Sequence, residues 1–393
     1  MAGEEGGALL AWEFVSPPRI LFGAGVRREL PAVARAYGRR PLVVTGRSHQ
    51  RVKDLLQALE SAGLQPVRFG VCGEPEVATV RQAVGLARQE GCDLVIGVGG
   101  GSALDTAKAV AGLVPRAGEV EEFLEVVGQA RPLPGPGLPF LAVPTTAGTG
   151  AEVTRNAVLA VPEHRVKVSF RSPYLVARAA LVDPELTMGC PPAVTAAAGL
   201  DALTQLLEAW VSPRANFFTD ACCAEGLPRV ARSLRRAWSD GTDAQARADL
   251  SWSALLSGLA LSNAGLGAVH GLAGPIGGAV PAPHGAVCGI LVAPVTEANV
   301  RALRRRASGH PALERYARAA CWLTGRSDAA AEDGVAWLYE LAQSLQMPRL
   351  SRYGFTAGLI PEVVEKALRA NSMKTNPIPL TADELSAVLE AVI

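Results

Sequence analysis

Charge is sparse in this 393-residue chain: Asp, Glu, Lys and Arg make up 19% of it and the formal net charge is +1. That balance gives no reason to expect nucleic acid, which requires a concentrated basic face. Arg232, Arg235 and Arg236, and again Arg304, Arg305 and Arg306, form short runs that read as solvated helix faces. The seven cysteines are odd in number and include no C-x-x-C, which argues against a disulfide framework and a structural zinc cluster. No uninterrupted apolar run reaches the ~20 residues of a membrane span. The opening MAGEEGGALLAWEF is acidic and has neither the basic segment nor the long apolar run of an export signal. A cytoplasmic protein without nucleic-acid or membrane partners is therefore expected. The G-x-x-x-x-G-K-[ST] loop is missing too, which counts against a nucleotide triphosphatase.

What the chain does contain is apolar and small. Hydrophobic residues make up 49%, and the length suits two domains at ~150 residues each. From Pro41 to Gly150 short apolar runs alternate with helical patterns: PLVVTG at 41–46, a helix over 49–62, PVRFGV at 66–71, a helix over 76–89, then DLVIGV at 93–98. This alternation predicts a parallel sheet with helices on both faces, whose ligands bind beyond the carboxyl ends of the strands. Two loops stand at such ends. Gly97-Val98-Gly99-Gly100-Gly101-Ser102 lets backbone approach a pyrophosphate closely, and the following helix turns its free N–H groups toward the anion. Ser102 is a candidate N-cap or phosphate donor, with Asp105 one turn in. The loop is not the G-x-G-x-x-G fingerprint, since Ser102 stands where the third glycine belongs. The second loop, Pro144 to Gly150, offers the hydroxyls of Thr145, Thr146 and Thr149.

From about Pro191 long amphipathic patterns take over, which predicts a boundary near Thr187–Pro191: an α/β domain over 1–188 and an all-helical domain over 189–393. In the helix read over Pro191–Ser212, Leu200, Leu203, Leu207 and Trp210 make an apolar face, with Asp201, Gln205 and Glu208 as a polar stripe beside it. An isolated helix would turn such a stripe to water. Two of the chain's five histidines, His270 and His284, lie in a downstream stretch built mostly of small and apolar residues. Lone polar groups are costly there. An aspartate and two imidazoles converging on one point make a site for a divalent metal.

Taken together, GVGGGSALDTAKA (97–109), PTTAGTGAEVT (144–154), KVSFRSP (167–173), LVDPELT (181–187), GLDAL (199–203), SNAGLGAVHGLA (262–273) and PAPHG (281–285) make the chain resemble the iron-containing, group III alcohol dehydrogenases nearly end to end. Their wider group includes glycerol dehydrogenase and dehydroquinate synthase. The resemblance implies an α/β NAD(P)-binding domain, a helical domain, and a metal in the cleft between them. It assigns the pyrophosphate to Gly99, Gly100, Gly101 and Ser102, with Asp105 nearby, and completes the cofactor site with Thr145, Thr146, Thr149 and Lys167. It assigns the metal, Fe or Zn, to Asp201, His270 and His284. It also implies a homodimer, with the extended segment Trp12–Phe22 at the interface.

Three positions depart from the family pattern. Gln205 replaces a histidine ligand, leaving an amide oxygen as the fourth donor, although Asp-His-His sites also resemble that of glycerol dehydrogenase. Gly274 replaces a histidine near the nicotinamide and widens the pocket. Gly46 stands where NAD-preferring members carry an acidic residue, and Arg47 follows it within reach of a 2′-phosphate, so NADP is expected over NAD. The expected activity is metal-assisted hydride transfer between an alcohol and an aldehyde or ketone. Two alternatives stand beside it. One is metal-independent reduction of an oxo acid as in maleylacetate reductase, with Lys167, Arg155 or Arg171 steadying a carboxylate. The other is a nucleotide-binding scaffold without catalysis.

Overall fold

The structure is a computed structural model and describes residues 12–46 and 49–393. The reading of the first eleven residues as no export signal, and the assignment of Arg47 to the cofactor, lie outside the described residues. The first half alternates strands and helices: β1 (Ile20–Phe22), α1 (Leu30–Arg35), β2 (Pro41–Thr45), α2 (His49–Ser61), β3 (Val67–Gly70), α3 (Val77–Gln89), β4 (Leu94–Gly99), α4 (Gly101–Leu113) and β5 (Phe140–Pro144). The strands β6 (Asn156–Val161), β7 (Val166–Arg171) and β8 (Ala179–Val182) follow. Six strands form one parallel sheet in the order β1-β8-β5-β4-β2-β3, and β6 and β7 pair antiparallel in a separate ribbon. The central strands β2, β4, β5 and β8 are buried along their whole length, as runs covered on both faces must be.

The strand order reverses between β2 and β4. β2 pairs with β3 on one side, and the chain then crosses back to lay β4 on the other. Such a switch opens a crevice at the carboxyl ends of the two strands. Gly46 leaves β2 there, and Gly99 ends β4.

Past residue 191 the chain is helical: α5 (Pro192–Val211), α6 (Phe217–Ser239), α7 (Ala244–Ala264), α8 (Ala268–Ala279), α9 (His284–Arg306), α10 (Ala312–Thr324), α11 (Ala331–Ser344), α12 (Ile360–Leu368) and α13 (Ala382–Glu390). Sequence reasoning found α5 to within a residue at each end. It passed over α10, and it passed over α8 and α9, whose glycines and internal prolines, Pro275 and Pro294, depress helix propensity. Burial overrides that propensity, because these segments sit in one hydrophobic core with α5. α9 is long and apolar enough to cross a membrane, and 89% of that window is buried inside the protein. The sheet joins the helices through a small cluster of Val153, Ala180, Val182 and Leu255.

Candidate active site

The carboxyl edge of the sheet builds a cradle from backbone. A Cβ on Gly100 would stand 3.2 Å from Thr146 Oγ1, and one on Gly101 would stand 2.8 Å from Thr149 Cγ2. The threonine loop therefore lies directly against the glycine run, and the Thr145 N–H donates to the Gly99 carbonyl at 2.9 Å. The residue that caps α4 is Gly100, with no side-chain hydrogen bond, so Ser102 stands inside the first turn rather than at the cap. The first N–H groups of α4 thus have no side-chain cap, the arrangement in which a helix N-terminus receives a phosphate. A cavity of ≈ 390 Å³ opens at Thr145, lined also by Arg27, Arg28, Leu186 and Met188.

Two residues named for the cofactor have partners elsewhere. Asp105 Oδ2 accepts from the Val158 N–H at 3.0 Å, and its other oxygen lies 3.8 Å from the Lys108 ammonium, so this carboxylate ties α4 to β6. Burial raises its pKa. Lys167, on β7, pairs with Glu74 at 3.1 Å and lies against α8, where a Cβ on Gly277 would stand 2.9 Å from its Nζ. It bridges the sheet half to the helix that carries His270.

The polar stripe of α5 does not face water: Asp201, Gln205 and Glu208 are 1%, 3% and 7% exposed. Asp201 and Glu208 meet the two nitrogens of one imidazole, and Gln205 turns to another helix. His270 Nε2 lies 3.4 Å from Asp201 Oδ1, and His284 Nε2 lies 3.7 Å from the same oxygen. Cys288, one turn beyond His284 on α9, brings its sulfur to 3.7 Å from His270 Nε2 and 3.6 Å from His284 Nε2. The donor atoms of Asp201, His270, His284 and Cys288 all lie within 4.8 Å of one another. Asp201 Oδ1 is buried and has no hydrogen-bond partner. A buried carboxylate oxygen left unpaired is expensive, and at the meeting point of two imidazoles it marks a place for a cation. The donor set fits a divalent metal.

Neighbouring groups fix this geometry. Glu208 Oε2 lies 2.6 Å from His270 Nδ1, and its Oε1 accepts from the Val269 N–H at 2.7 Å. One carboxylate thereby caps α8 and sets the tautomer that turns Nε2 toward Asp201. Asn376 completes the cap by accepting from the Ala268 N–H at 3.0 Å. Helix α9 approaches α5 closely because Gly285 and Gly289 lie between them. A Cβ at Gly285 would stand 2.5 Å from the Ala197 carbonyl oxygen, and one at Gly289 2.6 Å from Leu200 Cδ1.

The site favours positive charge. Burial opposes protonation of the two imidazoles, yet the acidic groups around them prevail: Cys288 and Glu208 beside His270 hold it well above the ordinary range, and Cys288 and Asp201 beside His284 raise it to about 9. Burial likewise works against ionised Asp201, but the charges on His284 and His270 prevail and lower its pKa.

Gln205 has another engagement: its Oε1 accepts from the Ser257 hydroxyl at 2.6 Å. Sequence reasoning missed Cys288 and the capping role of Glu208. The signal for the first was its spacing, four residues after His284 on one helix face. Gly274 faces open space, with no atom within 4 Å of the position its Cβ would take.

The chain thus joins a doubly wound parallel sheet to a helical half that carries an Asp-His-His cluster. The family model for iron-containing alcohol dehydrogenase matches residues 17–184, and that for the C-terminal part of the Fe-containing alcohol dehydrogenase family matches residues 195–393. The chain belongs to this family. It is 32% identical over 384 residues to alcohol dehydrogenase 4 of Saccharomyces cerevisiae, covering 96% of this chain and 97% of that one. It is 42% identical over 276 residues, 69% of each chain, to long-chain-alcohol dehydrogenase 1 of Geobacillus thermodenitrificans. Among solved structures, a 1,3-propanediol oxidoreductase superposes with a TM-score of 0.89 at 31% identity, over 98% of this chain and 100% of the other. The protein is an alcohol dehydrogenase, an enzyme of small-molecule alcohols or aldehydes.

Proposed function

We propose that Asp201, His270 and His284 hold a divalent cation, and that hydride passes between the substrate carbon and NADP at the seam between α8 and the sheet. The single observation that carries this reading is the orphaned, buried Oδ1 of Asp201 facing two imidazoles. A cation held there supplies a Lewis acid beside the substrate oxygen. The chain does the rest. Glu208 engages His270 Nδ1, so Nε2 is the nitrogen turned to the cation, which takes the place of its proton. The uncapped N-terminus of α4 and the hydroxyls of Thr145, Thr146 and Thr149 receive the cofactor's pyrophosphate, and the cavity beside Thr145 takes its adenosine end. Gly46 closes β2 without a carboxylate that would repel a 2′-phosphate, which supports NADP over NAD. The open space at Gly274 leaves room for an alkyl substituent on the substrate.

We place the subunit contact of a homodimer at the edge of the sheet carrying β1. Trp12, in the segment that leads to β1, is exposed and packs against the exposed Phe217 and Phe218 of α6, with ring centroids 4.6–5.0 Å apart and Trp12 edge-on to Phe217. The metal-free oxo-acid reading has no counterpart to the orphaned Asp201 oxygen.

The test combines metal analysis with kinetics. Protein purified without chelators should contain about one divalent ion per chain, and kcat/KM should be higher with NADPH than with NADH. His270→Ala should lose the metal and about 10³-fold or more in kcat/KM, the several kcal/mol a Lewis acid contributes. Full activity in the metal-stripped protein or in His270→Ala sinks the metal mechanism.

A further inference from the structure

The fourth corner of the metal cluster is a sulfur. We propose that Cys288 is a thiolate ligand of the resident cation and that it biases the site toward Zn²⁺ and away from Fe²⁺. This rests on the metal reading above and extends it by completing the donor set from α9, where Gln205 on α5 would be the expected source.

Four of the donor-to-donor separations have the length that a tetrahedral site requires, and all four donor atoms lie within 4.8 Å of one another. Bonds of about 2.0–2.1 Å to nitrogen and oxygen and about 2.3 Å to sulfur put donor atoms about 3.3–3.6 Å apart at tetrahedral angles. The separations here are 3.4 Å and 3.7 Å from Asp201 Oδ1 to the two Nε2 atoms, and 3.7 Å and 3.6 Å from the Cys288 sulfur to the same nitrogens. The buried, unpartnered Oδ1 of Asp201 is an independent sign that something binds at the centre. Gln205, by contrast, has given its amide oxygen to the Ser257 hydroxyl.

Cys288 is fully buried, as a packing cysteine would be. Its sulfur nevertheless meets both ligand imidazoles. His284 and Cys288 project from one face of α9, four residues apart, and the close approach at Gly285 and Gly289 carries that face onto Asp201. Replacing an imidazole donor by thiolate softens the set, and soft sulfur favours Zn²⁺ relative to Fe²⁺. Binding would displace the thiol proton to solvent, so the site takes up the cation and releases that proton together.

Co²⁺ alone is the probe. The full chain is stripped with chelator, reloaded with Co²⁺, and compared with Cys288→Ser and Cys288→Ala. The wild-type protein should bind one Co²⁺ with an intense near-ultraviolet sulfur-to-cobalt charge-transfer band. Both variants should bind it without that band, and their preference for Zn²⁺ over Fe²⁺ should narrow by roughly 10-fold or more, the scale on which lesser changes around a metal alter affinity. Should either variant fail to fold, X-ray absorption of the wild-type Zn²⁺ protein still decides, because a ligating thiolate contributes a sulfur shell at about 2.3 Å. Co²⁺ binding without the band or the sulfur shell, or a band that persists in Cys288→Ser, overturns Cys288 as a ligand and leaves the metal mechanism standing. No Co²⁺ binding at all overturns both.

Discussion

Glu208 offers the sharpest test of how this site is held together, because it is a metal ligand in neither the family pattern nor the geometry. Its two oxygens serve two helical groups: Oε2 meets His270 Nδ1 at 2.6 Å, and Oε1 caps the Val269 N–H at 2.7 Å. Glu208→Gln keeps the shape and one acceptor oxygen but turns an NH₂ toward the other donor. Either the cap or the histidine contact is then lost, and the charge that strengthens both is gone. Partners of this kind are worth 10–100-fold in metal affinity, about 1.4–2.7 kcal/mol. The metal-free fold should lose roughly 1–3 kcal/mol as well, since one buried donor is left unpaired. The assay is competition for Zn²⁺ against a chromophoric chelator, with thermal unfolding of the metal-free protein alongside. Zn²⁺ affinity within twofold of wild type would refute the claim that Glu208 orients His270, even if stability fell.

Two further predictions concern buried charges away from the cation. Asp249 accepts from Arg229, Arg232 and Ser233 between α6 and α7, and although burial opposes its ionised form these hydrogen bonds lower its pKa to about 2. A depressed carboxylate stabilises the fold above the unfolded pKa of about 3.9, and that contribution disappears as pH falls through about 2. After allowance for screening at the half-exposed arginines, Asp249→Asn should cost about 1–2 kcal/mol at neutral pH and flatten the loss of stability between about pH 4 and 2, read by urea unfolding across that range. Lys108 is wholly buried, donating to the Ala151 carbonyl, the Thr154 hydroxyl and the Asn156 carbonyl at 2.7–2.8 Å. Lys108→Met should destabilise by about 3–5 kcal/mol and raise KM for the cofactor, because the end of the threonine loop loses its anchor and Asp105 its counter-charge; an unchanged Tm and KM would refute this.

The α/β architecture was legible because β2, β4 and β5 are continuous apolar runs punctuated by glycine and followed by helical periodicity. β8 was not, since AALV is only four residues long and stands without flanking helical pattern. The hairpin of β6 and β7 alternates buried and half-buried positions, but apart from one bridge between Ala160 and Glu76 it pairs with itself, outside the alternating series. Helices α8 and α9 were obscured by glycine and proline, the same small residues that let them pack so closely. At the site, Asp201, His270 and His284 were legible as costly polar groups in apolar surroundings. Cys288 was not, because cysteines were weighed as pairs for disulfides or C-x-x-C clusters, and a single thiol one helical turn after a histidine satisfies neither pattern. Gln205 was read as the amide that stands in for an imidazole; only the fold reveals that Ser257 on α7 claims it.

The glycines at 285 and 289 have a bearing on how this centre could be moved or remade. Neither touches a donor atom, yet together they set the separation of the two helices from which three of the four donors project. Transplanting the aspartate, one histidine and the cysteine onto another helical pair, with the second histidine on a third helix, would reproduce the chemistry only at an equally tight spacing. A scaffold with alanine at those two points would hold the same side chains too far apart to share an ion. The bore of the site is a backbone property, inherited from residues that have no side chain at all.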